Sequence, residues 1–195
     1  TIELWYYAVA SGGMPICFAG GLNIAWASYE LNFEGLNLNF CGSSANTGYD
    51  IGSETGATGK IGTITLNQWY HFAVTRTGNV YRGFINGVQG YTQTLALTPY
   101  DPGARGLSIG SNYQTSWGVA GNITSICNGY ISNLRIIKGE SLYTTNFTPS
   151  VKPLLPTKNT SLLVANDGTL TDKSFNRYTV SRLMNTLSTA SLKVN

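Results

Sequence analysis

The sequence is poor in charged side chains. Only 11% of its 195 residues are Asp, Glu, Lys or Arg, against roughly 25% in an average soluble domain. Hydrophobic residues make up 42%, which is enough for a real core. The low charge therefore indicates a surface of Thr, Asn, Ser and Gly, which stays soluble through neutral hydrogen-bonding groups, rather than a disordered chain.

The sequence also lacks a basic cluster and a long apolar run. Its net charge is +3, and the Lys and Arg residues are scattered without aromatic residues interleaved. Proteins that bind nucleic acid usually carry clustered positive charge that contacts the phosphates, and this pattern lacks it, so no nucleic-acid partner is predicted. No apolar run approaches the roughly 20 residues that span a bilayer, so no membrane partner is predicted. The chain opens inside a strand pattern, TIELWYY, without an initiator Met, and we expect it to be a fragment.

Cysteine and histidine are scarce. The three cysteines, Cys17, Cys41 and Cys127, cannot all pair within one chain. Cys17 and Cys41 could in principle meet as cross-sheet neighbours, but the pattern favours buried, small apolar residues over a disulfide scaffold. The single histidine, His71, has no acid nearby in sequence to orient it. We interpret it as a packed strand residue.

What the sequence does contain is a dense series of short strand patterns. In residues 66–88, Tyr70, Phe72 and Val74 alternate with smaller or polar residues, which is the period of a half-buried strand. Gly78 interrupts this run, and Asn86-Gly87 supplies the strongest short hairpin signal. The stretch therefore predicts a β-meander. Similar short strands recur along the chain, and residues 42–62 and 111–125 read as long polar loops.

Four phrases carry a resemblance to a known family: WYHFAVTR at 69–76 with FING at 84–87, GLSIG at 106–110, and GYISNLRI at 129–136. Together they resemble the concanavalin A-like, laminin G-like family. The resemblance covers about residues 1–156 and implies an all-β fold, an antiparallel two-sheet β-sandwich of the concanavalin A-like jelly-roll type.

The resemblance also implies a domain division. Residues 1–157 would form the sandwich, with its N-terminal strand missing, and residues 158–195 resemble the start of a second copy. Either that segment enters another repeat or it completes the first sandwich. We favour the second interpretation, because a sheet lacking its first strand leaves an edge of unpaired backbone groups.

A further set of phrases narrows the resemblance. Lys138-Gly139, Leu142-Tyr143 and NFTP at 146–149 resemble a subset found in tail-fibre, adhesin and other virion proteins of bacteriophages. This implies a non-enzymatic virion structural protein, from a tail fibre or the capsid exterior, located on the particle surface. Its partners would be other virion proteins, further copies of itself and host surface glycans. A second hypothesis is a secreted or cell-surface carbohydrate-binding module, and a third is a glycan hydrolase.

The acidic residues give little support to the third hypothesis. Glycosidases use two carboxyl groups about 5–9 Å apart. Among the nine acidic residues only Glu30 and Glu34 are suitably close, and they flank a predicted turn. We therefore interpret them as solvated loop acids, predict no catalytic residue, and expect the protein not to be an enzyme. No cofactor is predicted either. A single calcium ion in a loop, near Asp167 and Asp172 or near Asp101, is left open.

Carbohydrate recognition needs aromatic rings for the apolar faces of sugars and neutral polar groups for their hydroxyls. The two long loops offer both. The candidate residues are Tyr49 in the first loop and Asn112, Tyr113, Gln114 and Trp117 in the second. Trp26 and Tyr29 could add to them, unless Trp26 belongs to the core. Exposed aromatics could equally serve a protein–protein contact.

Overall fold

The computed structural model describes residues 1–18, 26–103, 106–114 and 122–181, and within these ranges the chain forms β-strands and no helix. The strands are β1 (Ile2–Ala8), β2 (Ile16–Phe18), β3 (Tyr29–Glu34), β4 (Asn37–Gly42), β5 (Ile51–Gly52), β6 (Lys60–Thr63), β7 (Trp69–Thr77), β8 (Val80–Ile85), β9 (Val88–Thr94), β10 (Ser108–Ile109), β11 (Asn112–Gln114), β12 (Asn122–Thr124), β13 (Gly129–Ile137) and β14 (Thr160–Val164). No helix long and apolar enough to cross a membrane occurs in the described ranges.

The strands form two antiparallel sheets and a small hairpin. The first sheet has the order β14-β13-β1-β7-β8-β9, and the second has the order β10-β2-β3-β4-β5, with β6 also pairing with β4. The hairpin consists of β11 and β12. The predicted fold class is confirmed: the protein is an all-β, antiparallel two-sheet sandwich.

Alternating side chains of both sheets meet in one core. Its fully buried members include Leu4 and Tyr6 of β1, Leu31 of β3, Leu38 of β4 and Phe72 of β7. Residues at the intervening positions of each strand therefore point away from the core. The face of each sheet that points away from the core is its outer face.

The predicted meander is present as β7, β8 and β9. The turn between β8 and β9 uses Asn86 at φ 51° and Gly87 at φ 77°, and Ile85 pairs with Val88. Two successive positive φ angles are the geometry that an Asn-Gly pair adopts at low cost. The Asn86 side chain adds a hydrogen bond, because its Oδ1 accepts from the His71 N–H at 2.8 Å.

The segment after β13 packs on the first sheet and then adds a strand to it. Residues 138–159 cross its outer face, where the rings of Tyr143 and Phe147 stack with centroids 3.5 Å apart. Residues 160–164 then form β14, which extends the sheet beside β13. The division of the chain at residue 157 and the missing N-terminal strand remain predictions.

The other edge of β14 is closed by residues 172–176. The Leu163 N–H donates to Asp172 Oδ1 at 3.0 Å, and the Leu163 carbonyl accepts from the Lys173 N–H at 2.7 Å. The Ser161 carbonyl accepts from the side chains of Ser174 and Asn176. These bonds occupy backbone groups that would otherwise offer a pairing edge to another chain.

Candidate functional site on the outer face of the second sheet

The outer face of the second sheet carries a polar layer. Leu31 and Phe33 of β3 face the core, so Glu30, Asn32 and Glu34 face outwards. On β4 the same alternation turns Asn39 and Cys41 outwards. Most of these polar side chains are nonetheless buried, with Glu30 1%, Asn32 7% and Asn39 0% exposed. The prediction of two solvated loop acids was therefore wrong for Glu30. Glu30 and Glu34 lie on one strand and do not flank a turn.

Glu30 lies at the centre of a row across three strands. It pairs with Cys17 of β2 on one side and with Cys41 of β4 on the other. Two strand spacings of about 4.8 Å each separate Cys17 from Cys41. This distance is too long for the disulfide that the sequence left possible between them. Glu30 Oε1 accepts from Cys41 Sγ at 3.4 Å and from Asn32 Nδ2 at 3.2 Å. Burial, together with the nearby charge of Glu54, raises the pKa of Glu30 to about 8. The carboxyl group is therefore mostly protonated at neutral pH.

The loop between β5 and β6 crosses this layer. It comes close to β3 at two points: Glu54 lies near enough to Glu30 for its charge to raise the pKa of the Glu30 carboxyl, and the Gly56 N–H donates to Glu34 Oε2 at 3.2 Å. Its two ends meet at Phe40 of β4, whose carbonyl accepts from the Ser53 N–H and whose N–H donates to the Gly59 carbonyl. Residues 53–59 are called the flap below.

Tyr49 joins the polar layer to an aromatic group. Its hydroxyl donates to Glu30 Oε2 at 2.9 Å and accepts from the Ala27 N–H at 3.3 Å. Its ring packs edge-on against Trp26, with centroids 5.0 Å apart. Trp26 is partly exposed and belongs to neither hydrophobic cluster of the described chain. The core interpretation of Trp26 is therefore wrong, and a partly exposed indole remains beside the polar layer.

Neighbouring loops hold Trp26 in place through its backbone. The Trp26 N–H donates to Asn46 Oδ1 at 3.3 Å, and the Trp26 carbonyl accepts from the Tyr100 hydroxyl at 2.8 Å. Asn46 has a positive φ of 58°, which Asn tolerates better than most residues. Two other loops therefore fix the position of one aromatic residue.

The residues predicted from the second long loop are placed only in part. Asn112, Tyr113 and Gln114 form β11, whose backbone pairs with β12 and lies beside β2 and β10. This segment was predicted as a loop, whereas the structure has a hairpin there. Trp117 lies outside the described residues. Tyr49 packs against a small cluster formed by Met14, Ala27 and Cys17 of β2, and β11 also lies near β2. A carbohydrate-binding role for these five residues remains a prediction.

His71 belongs to a second polar cluster, on the outer face of the first sheet. Its Nε2 lies 3.1 Å from Glu3 Oε2, while Arg135 Nε donates to Glu3 Oε1 at 2.8 Å. The Tyr143 hydroxyl also donates to Glu3, at 2.8 Å. Burial alone would raise the pKa of Glu3, but the His71 hydrogen bond and the Arg135 charge lower it overall. The acid that orients His71 is far away in sequence, which is why sequence reasoning missed it.

The aspartates considered for calcium have other partners in the structure. Asp172 accepts hydrogen bonds from the N–H groups of Leu163, Ser174 and Tyr178. Asp167 pairs with Lys173 at 2.9 Å. Within the described ranges, no three His, Cys, Asp or Glu side chains converge as metal ligands would.

Comparison with protein families gives a match over residues 1–141, to the family described as the concanavalin A-like lectin/glucanases superfamily. The chain belongs to this family. The family resemblance is thus confirmed, while the bacteriophage subset within it is not tested by the match. Among curated proteins nothing matches the chain.

A solved structure with the same fold comes from Bacteroides ovatus ATCC 8483, where it is described as a "putative carbohydrate binding protein". The TM-score is 0.56 at 14% sequence identity, and the alignment covers 86% of this chain and 45% of that chain. The chain thus spans less than half the length of this relative. At this identity the likeness shows the shared fold of the lectin-like sandwich.

Proposed function

We propose that this domain is a non-enzymatic carbohydrate-binding domain and that a sugar ring packs on Trp26. The observation that carries the proposal is the position of this indole, partly exposed and held by hydrogen bonds from two other loops. A fixed, exposed aromatic ring can cover the C–H face of a sugar at little cost in conformational entropy.

Neutral polar groups stand near this ring, which suits sugar hydroxyls. The amide of Asn46 lies beside the Trp26 backbone. The predicted residues Asn112, Tyr113 and Gln114 belong to β11, whose backbone lies near β2, and we propose that they add further polar groups. Tyr49 would contribute its ring edge and not its hydroxyl, because that hydroxyl already bonds Glu30. The Bacteroides ovatus protein with the same fold, described as a "putative carbohydrate binding protein", supports this choice of ligand.

A glycan array followed by calorimetry tests the proposal. We expect Trp26→Ala to weaken binding at least tenfold, which corresponds to about 1.4 kcal/mol. Trp69→Ala is the matched control, because Trp69 is a partly exposed Trp on the first sheet and should leave binding unchanged. Trp117→Ala tests the second predicted loop in the same assay. Absence of binding across the array, or an unaffected Trp26→Ala variant, would refute the proposal.

A second proposal concerns where the domain works. The phrases around residues 138–149 resemble virion proteins of bacteriophages, and they build the segment that packs on the first sheet through Tyr143 and Phe147. On this basis the domain would belong to a tail fibre or a capsid exterior, where it contacts other virion proteins or copies of itself. Mass spectrometry of purified phage particles tests it, and finding the protein only in secreted or cell-surface fractions would refute it.

The non-enzymatic part of the proposal has its own assay. Each oxygen of the Glu30 carboxyl already accepts hydrogen bonds from neighbouring side chains. Incubation with β-glucans should release no sugar. Sugar release that disappears in the Glu34→Gln variant would refute this part of the proposal.

A further inference from the structure

The flap is attached to the sheet in an uneven way. Its ends are fixed by main-chain hydrogen bonds to Phe40, and Gly59 packs so closely on Ser53 that an added Cβ would lie 2.1 Å from the Ser53 carbonyl oxygen. Between these ends, residues 55–58 are exposed. Here the flap reaches β3 through Glu54 on Glu30 and through the Gly56 N–H on Glu34. The middle of the flap could therefore lift while both ends stay in place.

The floor beneath the flap has unused hydrogen-bonding capacity. Asn32 lies between the two glutamates that the flap contacts, and Asn39 is its direct partner on β4. Both side chains are at least nine-tenths buried, and in the described part of the chain neither Asn32 Oδ1 nor Asn39 Oδ1 has a hydrogen-bond partner. An unpaired buried acceptor is unfavourable, because it has lost its hydrogen bonds to water without gaining others. Two adjacent acceptors of this kind are suited to ligand O–H groups.

We propose that the flap is a displaceable cover, held on β3 by the Gly56–Glu34 hydrogen bond and by the neighbouring carboxyl groups of Glu30 and Glu54, and that lifting it exposes Asn32 and Asn39 to the hydroxyls of a neutral sugar. This inference rests on the proposed carbohydrate-binding function and adds a regulated subsite to it. The floor continues from the aromatic group, because Tyr49 bonds Glu30 and packs on Trp26.

Protonation controls this contact. Glu30 faces Cys17 of β2, Cys41 of β4, Tyr49 of the loop between β4 and β5, and Glu54 of the flap. Among these groups only Glu54 is a second carboxyl group, and its charge helps to raise the pKa of Glu30. When Glu30 loses its proton, its buried carboxylate faces the partly exposed carboxyl group of Glu54, and opening relieves the repulsion.

The direction in which pH changes flap opening follows from the pKa of Glu30. This pKa is about 8 with the flap closed, whereas the ordinary value is 4.5. The closed flap is therefore fully favoured below pH 4.5. It becomes progressively less favoured as the pH rises to about 8, by up to tenfold in the opening constant per pH unit.

Hydrogen exchange of the peptide spanning residues 53–60, corrected for the intrinsic pH dependence of exchange, measures the opening. In the native protein the opening constant should rise at least tenfold between pH 5 and pH 7. In Glu30→Gln it should be independent of pH, and in Glu54→Gln the rise should be much smaller. Asp101→Asn removes an exposed charge outside the contact and should behave as the native protein.

Binding of laminaripentaose, cellopentaose and xylopentaose provides the second readout. A variant in which residues 54–58 are replaced by Gly-Gly should bind at least one of them more tightly than the native protein at pH 5, because no cover has to be lifted. If the opening constant of the native protein does not change with pH, or if it changes equally in the Glu30→Gln variant, the proposal that the flap is a displaceable cover is overturned. If exchange responds as expected but no probe binds either protein, the proposed function and the sugar subsite fail while the cover stands.

Discussion

Replacing Glu3 with glutamine tests the buried ionic cluster that joins β1, β7 and β13. Glu3 is 1% exposed and receives hydrogen bonds from Arg135, His71 and Tyr143. Glutamine has nearly the same shape but carries no charge. The variant therefore leaves the guanidinium of Arg135, which is 8% exposed, without its carboxylate. One Arg135 nitrogen keeps a bond to the Leu155 carbonyl, which compensates only in part.

Removing one partner of a buried ion pair costs about 3–5 kcal/mol. For a chain of this size that loss corresponds to a decrease in Tm of roughly 6–20 °C. Urea unfolding monitored by tryptophan fluorescence measures the free energy directly. The matched control is Lys173→Gln, which breaks the exposed pair with Asp167 and should leave the unfolding midpoint within error, because water screens exposed pairs.

The pH dependence provides a second check. The pKa of Glu3 is lowered in the folded protein, so its contribution to stability is complete above the ordinary value of 4.5 and is lost as the pH falls below it. The native protein should lose this contribution in acid, whereas the Glu3→Gln variant should not. A loss below about 1 kcal/mol at pH 7, or identical acid slopes for both proteins, would refute the reasoning.

Two further changes test the turns and edges of the sandwich by chemical unfolding and light scattering. Gly87→Ala should cost more than Gly78→Ala, because both positions have positive φ but only at Gly87 would a Cβ lie 1.8 Å from the Phe147 carbonyl oxygen; equal losses would contradict the predicted clash. Asp172→Ala should cost roughly 1–3 kcal/mol and promote association, because the bond to the Leu163 N–H on the edge of β14 is lost. A variant that stays monomeric at high concentration would contradict the role of Asp172 in closing the edge.

The features that the sequence predicts well are local ones. The meander of β7, β8 and β9 follows from alternating side chains and from the Asn86-Gly87 turn, all within one short stretch. A strand period and a tight turn are encoded by neighbouring residues, so they can be read without knowing the fold. The family phrases add the sandwich, because they correspond to strands that build its core.

The features that the sequence predicts poorly depend on distant partners. His71 looks isolated in the sequence because its acid, Glu3, lies on a strand that becomes its neighbour only in the sheet. Glu30 and Glu34 look like loop acids because the sequence predicts a turn between them, whereas both lie on β3, on the outer face of the second sheet. That face is buried because a separate loop folds over it, and strand periodicity carries no information about such a loop.

The position of β1 in the first sheet has a consequence for synthesis of the chain. Ile2 pairs with Ile136 on one side and with Val74 on the other, so β1 needs partners made early and late. At about 5–20 residues per second, the ribosome makes β13 roughly 7–27 s after β1. The meander of β7 to β9 can form during this interval, whereas one edge of β1 stays without its strand. We expect a nascent chain that ends before residue 129 to bind chaperones and to be cut readily by proteases, and one that extends past β14 to resist both.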